Sequence, residues 1–180
     1  MASPAGPLQA APAPESAPDP DRLWKVVRQF ATGVSVVTTG QGVSAHGATV
    51  TSFTFVSQAP PLVSVCLKRE SVLLDLIGPR GRFAVNVLSS EQTALARHFA
   101  DRRRQPGARQ FDQVSWKSGV DGTPVLAGAV GWLWCRARRR IRAGDHELVL
   151  AGVTAVADGM GRPLLYFGGR LHPAAIEHAS

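Results

Sequence analysis

The sequence predicts a mainly β fold with short flanking helices, and three observations lead to that prediction. Short apolar and β-branched runs recur along most of the chain. The 180 residues include 18 glycines and 13 prolines, which suits many turns between short strands. The strand-like runs do not alternate with helices as βαβ units do, which disfavours a Rossmann fold. About seven mostly antiparallel strands with a few edge helices therefore predict a closed barrel.

The ends of the chain differ in composition from the rest. Residues 1–20 are rich in alanine and proline and poor in large apolar side chains, which predicts a disordered tail. We place one domain at residues 21–172 and a short C-terminal tail at residues 173–180. A chain of this length fits a single domain.

The first element after the tail is predicted to be a helix. Asp21 is its expected N-cap, and Gly33 is expected to end it. Apolar residues recur there at helical spacing, namely Leu23, Val26, Val27 and Phe30.

The later elements follow from composition and turn chemistry. Helices are predicted at 71–77, ended by Gly78-Pro79, and from Ser90 to Phe99. A polar loop rich in arginine covers 101–113, and Gly144-Asp145 predicts a type I′ hairpin turn. We expect strands at 34–39, 46–52, 62–67, 83–88, 130–142, 146–157 and 164–167.

The run at 130–142 alternates as a half-buried strand does. Leu133, Cys135 and Ala137 are expected on one face, with Trp132, Trp134, Arg136 and Arg138 on the other. The two tryptophans suit either a homodimer seam or a barrel core, and both interpretations stay open.

Charge and cysteine content exclude several classes of protein. The balance of 20 Lys+Arg against 13 Asp+Glu gives a net charge of +7, with arginines grouped at 97–109 and 136–142. Nucleic-acid binding is disfavoured because the chain lacks RNP-type aromatics, a zinc-finger pattern and a helix-turn-helix. Cys66 and Cys135 lie in apolar runs typical of structural thiols, which favours a reducing compartment. No apolar stretch reaches the ~18 residues of a membrane span, so a cytoplasmic location is expected.

Two local features suggest a binding site without defining one. Five hydroxyl side chains fall within residues 49–57, just before Pro60-Pro61, where they could hold phosphate or a heteroaromatic edge. His146 follows the hairpin turn and could equally be an ordinary surface residue. The sequence carries no metal-binding, Walker or nucleophile-elbow motif, so no metal site is expected.

Together and in order, these segments carry a family resemblance. The sequence reads F-A-T-G-V-S-V-V-T-T at 30–39, G-A-T-V-T-S-F at 47–53, S-x-x-P-P-L-V at 57–63, F-A-V-N-V-L at 83–88 and G-D-H at 144–146. This pattern resembles the flavin reductase family of the FMN-binding split barrel, from about Leu23 to Phe167. Its members are the small reductase components of two-component flavin-dependent monooxygenases.

The resemblance implies a set of site residues. His146 would lie beside the flavin ring where the nicotinamide stacks, and it is the candidate catalytic residue. Contacts to the flavin are implied for Thr32, Gly33, Val34, Thr49, Val50, Thr51, Ser52, Ser57, Cys66, Leu67, Arg69, Ser71, Asn86, Phe99, Gly144 and Asp145.

The resemblance also implies an activity and partners. The chain would be an NAD(P)H:flavin oxidoreductase that transfers a hydride from the nicotinamide to flavin N5 and supplies reduced FMN or FAD to a partner monooxygenase. A homodimer is expected. The sequence leaves FMN against FAD and NADH against NADPH open. Arg102-Arg103-Arg104 either holds the adenosine end of FAD or the 2′-phosphate of NADPH, or is a solvated loop. Alternatives are a non-catalytic flavin carrier and a flavin-dependent oxidoreductase acting directly on an organic substrate.

Overall fold

The computed structural model describes residues 17–173. Residues 1–16 of the predicted N-terminal tail and residues 174–180 of the predicted C-terminal tail therefore lie outside the described residues. Within them the helices are α1 (Pro20–Val27), α2 (Val72–Arg80) and α3 (Thr93–Ala100). The strands are β1 (Thr32–Gly33), β2 (Ser35–Thr39), β3 (His46–Val50), β4 (Thr54–Ser57), β5 (Leu62–Lys68), β6 (Arg82–Val87), β7 (Trp116–Ser118), β8 (Pro124–Leu126), β9 (Gly131–Ala143), β10 (His146–Asp158), β11 (Leu164–Phe167) and β12 (Arg170–Pro173).

A seven-stranded antiparallel sheet forms the body of the molecule, in the order β3-β2-β6-β9-β10-β5-β4. Two smaller sheets, β1-β11-β12 and β7-β8, lie beside it. Each long strand predicted from composition is present, so the mainly β prediction is confirmed. The short strands β1, β4, β7, β8 and β12 were missed, because such short runs carry little pattern without their pairing partners.

The main core lies on one face of this sheet. Val65, Phe83 and Val149 are fully buried there, and α2 covers them with Leu74 and Ile77. A second cluster packs α3 against the other side of β2 through Val36 and Phe99. These two clusters hold β3 and β5 in fixed positions on either side of a gap between α2 and α3.

The boundaries of two helices differ from the prediction. Asp19, not Asp21, caps α1, because its side chain accepts from the N–H of Asp21 and Pro20 occupies the first helical position. Gly33 does not end α1; it pairs with Leu165 in β1. Gly78-Pro79 does not end α2 either, since the helix runs on to a left-handed Gly81 with a φ of 62°.

The β9-β10 hairpin is confirmed, but its predicted turn type is wrong. A type I′ turn needs positive φ at both central residues. Gly144 has a φ of 61°, and no non-glycine residue among the described residues has a positive φ. Asp145 therefore adopts an ordinary conformation, and the turn fits type II′ instead.

The tryptophan face of β9 is covered by the chain's own β8. Trp134 is buried with Ala84 and Val125, and the indole Nε1–H of Trp132 donates to the carbonyl of Leu126 at 2.9 Å. The alternation is confirmed, with Cys135 in the main core and Trp134 on the opposite face. Trp134 therefore packs within the chain in a cluster separate from the main core, and the homodimer stays a prediction.

Candidate functional site

A cavity of about 660 Å³ opens between β3, β5, α2 and α3. This volume suits an organic cofactor. Its lining brings together nine of the predicted site residues, namely Thr49, Val50, Thr51, Ser52, Cys66, Leu67, Ser71, Phe99 and His146. The fold thus gathers segments that are up to a hundred residues apart in the chain.

The hydroxyl segment, residues 49–52, forms one wall of the cavity. Two of its hydroxyl groups already bond to backbone. Thr49 Oγ1 donates to the carbonyl of Ala96 at 2.7 Å, and Ser52 Oγ bonds both the N–H and the carbonyl of Cys66 at 3.0 Å. Thr51 has no hydrogen bond to another residue within 17–173, so its hydroxyl is the one in this segment that is available to a ligand.

The N-terminus of α2 lies at the cavity wall through Ser71, Val72 and Leu73. Ser71 is the N-cap, and its Oγ accepts from the N–H of Leu74 at 3.2 Å. The first amides of a helix lack intrahelical partners and carry a partial positive charge, which suits a phosphate or another anion. Lys68 adds a cation beside them.

His146 lies at the cavity rim, directly across from Lys68 in the β5-β10 pairing. Its Nδ1 is 2.7 Å from Asp145 Oδ1. The hydrogen bond from His146 holds the pKa of Asp145 below its usual range, so the carboxylate is ionised and only accepts. Nδ1 therefore carries the proton, which leaves Nε2 as the ring atom available to a ligand.

His46 is a lining residue that the sequence did not single out. It is buried, and its Nδ1 is 2.7 Å from Gln110 Nε2. Gln110 Oε1 accepts from the N–H of Gly47 and from Arg104 Nε, so the amide NH₂ must face the imidazole. The His46 proton consequently sits on Nε2. Burial, with Arg104 nearby, lowers the pKa of His46 to about 4, which keeps the ring neutral at pH 7.

The arginine loop, residues 101–106, forms the wall opposite the hydroxyl segment. Arg104 fixes it there by donating to the carbonyls of Asp101 and Gly47 at 2.6 Å each and to Gln110 Oε1 at 3.0 Å. Gln110 is itself 1% exposed. This network joins residues 46–47 to residues 101–110 and so fixes the arginine loop against β3 at the cavity.

The other predicted site residues do not line the cavity. Thr32 and Gly33 pair with β11, and Val34 is fully buried in the second cluster. The remaining positions are Ser57 on β4, Arg69 after β5, Asn86 on β6, and Gly144 and Asp145 in the hairpin turn.

Asn86 is a predicted site residue whose side chain holds the fold together and does not line the cavity. It is fully buried, its Nδ2 donates to the carbonyl of Val36 and to Thr38 Oγ1, and its Oδ1 accepts from the N–H of Leu126. The amide is thus committed to joining β2, β6 and β8, and its place in the motif is explained by the fold.

Sequence reasoning missed several lining residues, including His46, Lys68 and Gln105. One local signal was present: His46-Gly47 precedes the hydroxyl segment with only Ala48 between them. The structure adds that a Cβ on Gly47 would come within 2.8 Å of the Phe99 ring. No local signal links Gln110 to His46, since their contact spans 64 residues.

Comparison with known proteins agrees with this geometry. Residues 27–175 match the model of the flavin reductase like domain. The chain is 45% identical over 170 residues to the NADPH-flavin oxidoreductase of Streptomyces viridifaciens, covering 91% of this chain and 87% of that protein. It is 33% identical over 159 residues to the 4-hydroxyphenylacetate 3-monooxygenase reductase component of Salmonella typhimurium. That match covers 87% of this chain and 92% of that protein.

Among solved structures, the NADH:FAD oxidoreductase of Streptomyces globisporus C-1027, in complex with NAD and FAD fragments, superposes with a TM-score of 0.82. The two chains are 37% identical, and the match covers 93% of this chain and 100% of the Streptomyces chain. The predicted split-barrel fold and the family resemblance are both confirmed. This chain therefore belongs to the flavin reductase family.

Proposed function

We propose that this chain is an NAD(P)H:flavin oxidoreductase that supplies reduced FMN or FAD to a separate monooxygenase component. The observation that carries the proposal is that the hydroxyl segment, the N-terminus of α2 and His146 line one cavity. Its relatives include a named flavin oxidoreductase and a named monooxygenase reductase component.

The residues present fit a flavin nucleotide. Leu67, Leu73 and Phe99 give the cavity apolar surface for an aromatic ring, and Thr51 offers a hydroxyl without a protein partner. The N-terminus of α2, with Ser71 and Lys68, suits a phosphate. When bound, the flavin supplies the hydride acceptor, and the nicotinamide supplies the hydride.

The work of the protein is then to bind, orient and exclude water. His146 is positioned by Asp145 so that Nε2 faces the ligand and orients the nicotinamide at the rim. Neutral His46 presents an N–H donor at the base of the cavity without adding a charge. Holding the two rings in register is the main source of rate in such a site.

The test measures NAD(P)H oxidation by the full chain with FMN, FAD and riboflavin as separate acceptors. His146→Ala should raise the KM for the nicotinamide or slow flavin reduction in stopped flow, while the flavin Kd stays within about twofold. Failure of the wild type to bind any flavin would overturn the proposal. Flavin binding with no NAD(P)H oxidation would instead indicate a flavin carrier.

We also propose a homodimer, formed through α1 and the turn that follows it. No residue of α1 is buried, and Trp24, Val26 and Phe30 are 60%, 65% and 75% exposed. Such an apolar surface is uncommon on a monomer. Light scattering should give twice the chain mass for the wild type and a monomer for Trp24→Glu; an unchanged mass would exclude α1 from the interface.

The expected location is the cytoplasm. Both cysteines are free thiols, as suits a reducing compartment. No helix within residues 17–173 is long and apolar enough to cross a membrane.

A further inference from the structure

Three consecutive arginines in the arginine loop have different surroundings. A backbone hydrogen bond from the N–H of Arg104 to the carbonyl of Asp101 closes a turn with Arg102 and Arg103 at its centre. The N–H of Arg103 also bonds Asp101 Oδ1 at 2.9 Å, which fixes this turn further. Neighbouring side chains in a turn point in different directions, so the three arginines have different surroundings although they carry the same charge.

Arg104 already uses three of its five N–H donors on the protein. Its Nε, Nη1 and Nη2 each donate to an oxygen of the protein at 2.6–3.0 Å. Removing it from these partners would leave buried Gln110 and the carbonyl of Gly47 unsatisfied. Arg104 is therefore a positioning residue, which holds the arginine loop against β3.

Arg103 faces away from the cavity. Its side chain is 92% exposed and pairs with Asp101 at 3.3 Å, a contact of little energetic value at the surface. Arg102, in contrast, lines the cavity and has no hydrogen bond or ion pair with another residue within 17–173. Of the three arginines, it is the one that lines the cavity and has no partner within residues 17–173.

The cations that line the cavity come from two segments of the chain. Lys68 lies beside Ser71 and the N-terminus of α2, and Arg102 and Arg104 come from the arginine loop. Glu70 is the one acidic residue in the lining, and neutral His46 adds no charge. A flavin with its phosphate at α2 would leave Arg102 for a second phosphate, and the planar guanidinium suits phosphate oxygens.

We propose that Arg102 binds a phosphate at the adenylate end of a dinucleotide cofactor. The inference rests on the proposed function. The two candidates are the 2′-phosphate of NADPH and the adenylate phosphate of FAD. FMN and NADH each lack one of these groups, and so they separate the two sources.

The experiment compares Arg102→Ala with the matched control Arg103→Ala in the full chain. Both remove one arginine from an exposed turn, so their effects on net charge and folding should be equal. With FMN as acceptor, the KM values for NADPH and NADH are measured; the Kd values for FAD and FMN are measured by titration without a nicotinamide donor.

Arg102→Ala should raise either the NADPH KM or the FAD Kd by about tenfold, as loss of one charge-assisted hydrogen bond predicts, while the NADH and FMN values stay within about twofold. A higher NADPH KM would identify the 2′-phosphate of NADPH as the ligand of Arg102, and a higher FAD Kd would identify the adenylate phosphate of FAD. Arg103→Ala should leave all four values within about twofold. Equal effects of the two variants in both arms would overturn the proposal.

Calorimetric titration with NADP⁺ and with FAD keeps this test separate from turnover. If the wild type fails to oxidise NAD(P)H, the proposed function fails, but a tenfold loss of NADP⁺ or FAD affinity in Arg102→Ala alone would still support the subsite. Undiminished binding of both ligands by Arg102→Ala would exclude it.

Discussion

The two walls of the cavity are built in different ways. The hydroxyl segment, residues 49–52, extends a strand of the main sheet, and its side chains bond mainly to nearby backbone such as Ala96 and Cys66. The arginine loop is not part of a strand, and Arg104 holds it to β3 through the carbonyl of Gly47 and the buried amide of Gln110. The comparison shows that a residue type suited to ligands is often already used by the fold: Thr49, Ser52 and Arg104 are committed, while Thr51 and Arg102 are free.

The largest effect is expected from Gln110→Ala. This change leaves the N–H of Gly47, Arg104 Nε and His46 Nδ1 without their partner, and so it should lower the free energy of unfolding by about 2–4 kcal/mol. Urea unfolding measures it. The control is Gln113→Ala, at an exposed position near the same segment, which should change stability by less than about 0.5 kcal/mol. Equal stabilities for the two variants would show that the arginine loop is held by other contacts.

The next effect is a pH dependence of stability that arises from His46. Burial lowers its pKa to about 4 in the folded chain, from 6.5 in the unfolded chain. Between these values the unfolded chain binds more protons, so the stabilisation is complete above about pH 6.5 and is lost as the pH falls towards 4. The loss should reach as much as about 3 kcal/mol.

Chemical unfolding at pH 7 and pH 4.5 measures this loss in the wild type and in His46→Leu. The variant should show a smaller drop across that interval, because it has no group that titrates there at this position. The other titratable groups are common to both proteins and cancel in the difference. An identical drop in stability in both proteins would mean that folding does not lower the pKa of His46.

A smaller effect separates two neighbouring hydroxyls of the same wall. Thr51→Val should weaken flavin binding about fivefold and leave stability within about 0.5 kcal/mol, because its hydroxyl has no protein partner. Thr49→Val should destabilise the chain by about 1 kcal/mol, because the carbonyl of Ala96 loses its donor. Fluorescence titration and urea unfolding check the two variants, and the reverse pattern would place the ligand against Thr49 instead.

The least perturbing test uses the two cysteines as they stand. Cys66 lines the cavity, whereas Cys135 is buried in the main core, where burial raises the pKa of its thiol to about 12. A thiol reagent should label Cys66 at least about tenfold faster than Cys135. FMN should slow labelling of Cys66 without affecting Cys135. Labelling of Cys66 that does not respond to any flavin would argue that the ligand lies elsewhere.

Much of the fold could be predicted from the sequence, because its long strands carry local patterns. Alternation along residues 130–142 assigned Cys135 and Trp134 to opposite faces, and Gly144-Asp145 marked the hairpin. Helix ends were less predictable, since Gly33 and Gly78 have the composition of a stop but occupy a strand and a helix interior. A local rule gives the preference of a segment, and the tertiary contacts then select among its allowed conformations.

The candidate site was only partly predictable from the sequence. The order of motifs identified the hydroxyl segment and His146, both of which line the cavity. It also included Asn86, whose amide joins three strands, and it left out His46. A motif records which residues a family requires, without separating those that hold the fold from those that meet the ligand.

The sequence by itself determined the long strands, the family and the general position of the site, because these depend on local periodicity and residue order. Only the tertiary structure decided which polar groups are free to bind. Gln110 meets His46 across 64 residues, and Arg104 meets Gly47 across 57. Buried polar groups must find partners, and those partners are chosen by the packing of distant segments, which no local pattern encodes.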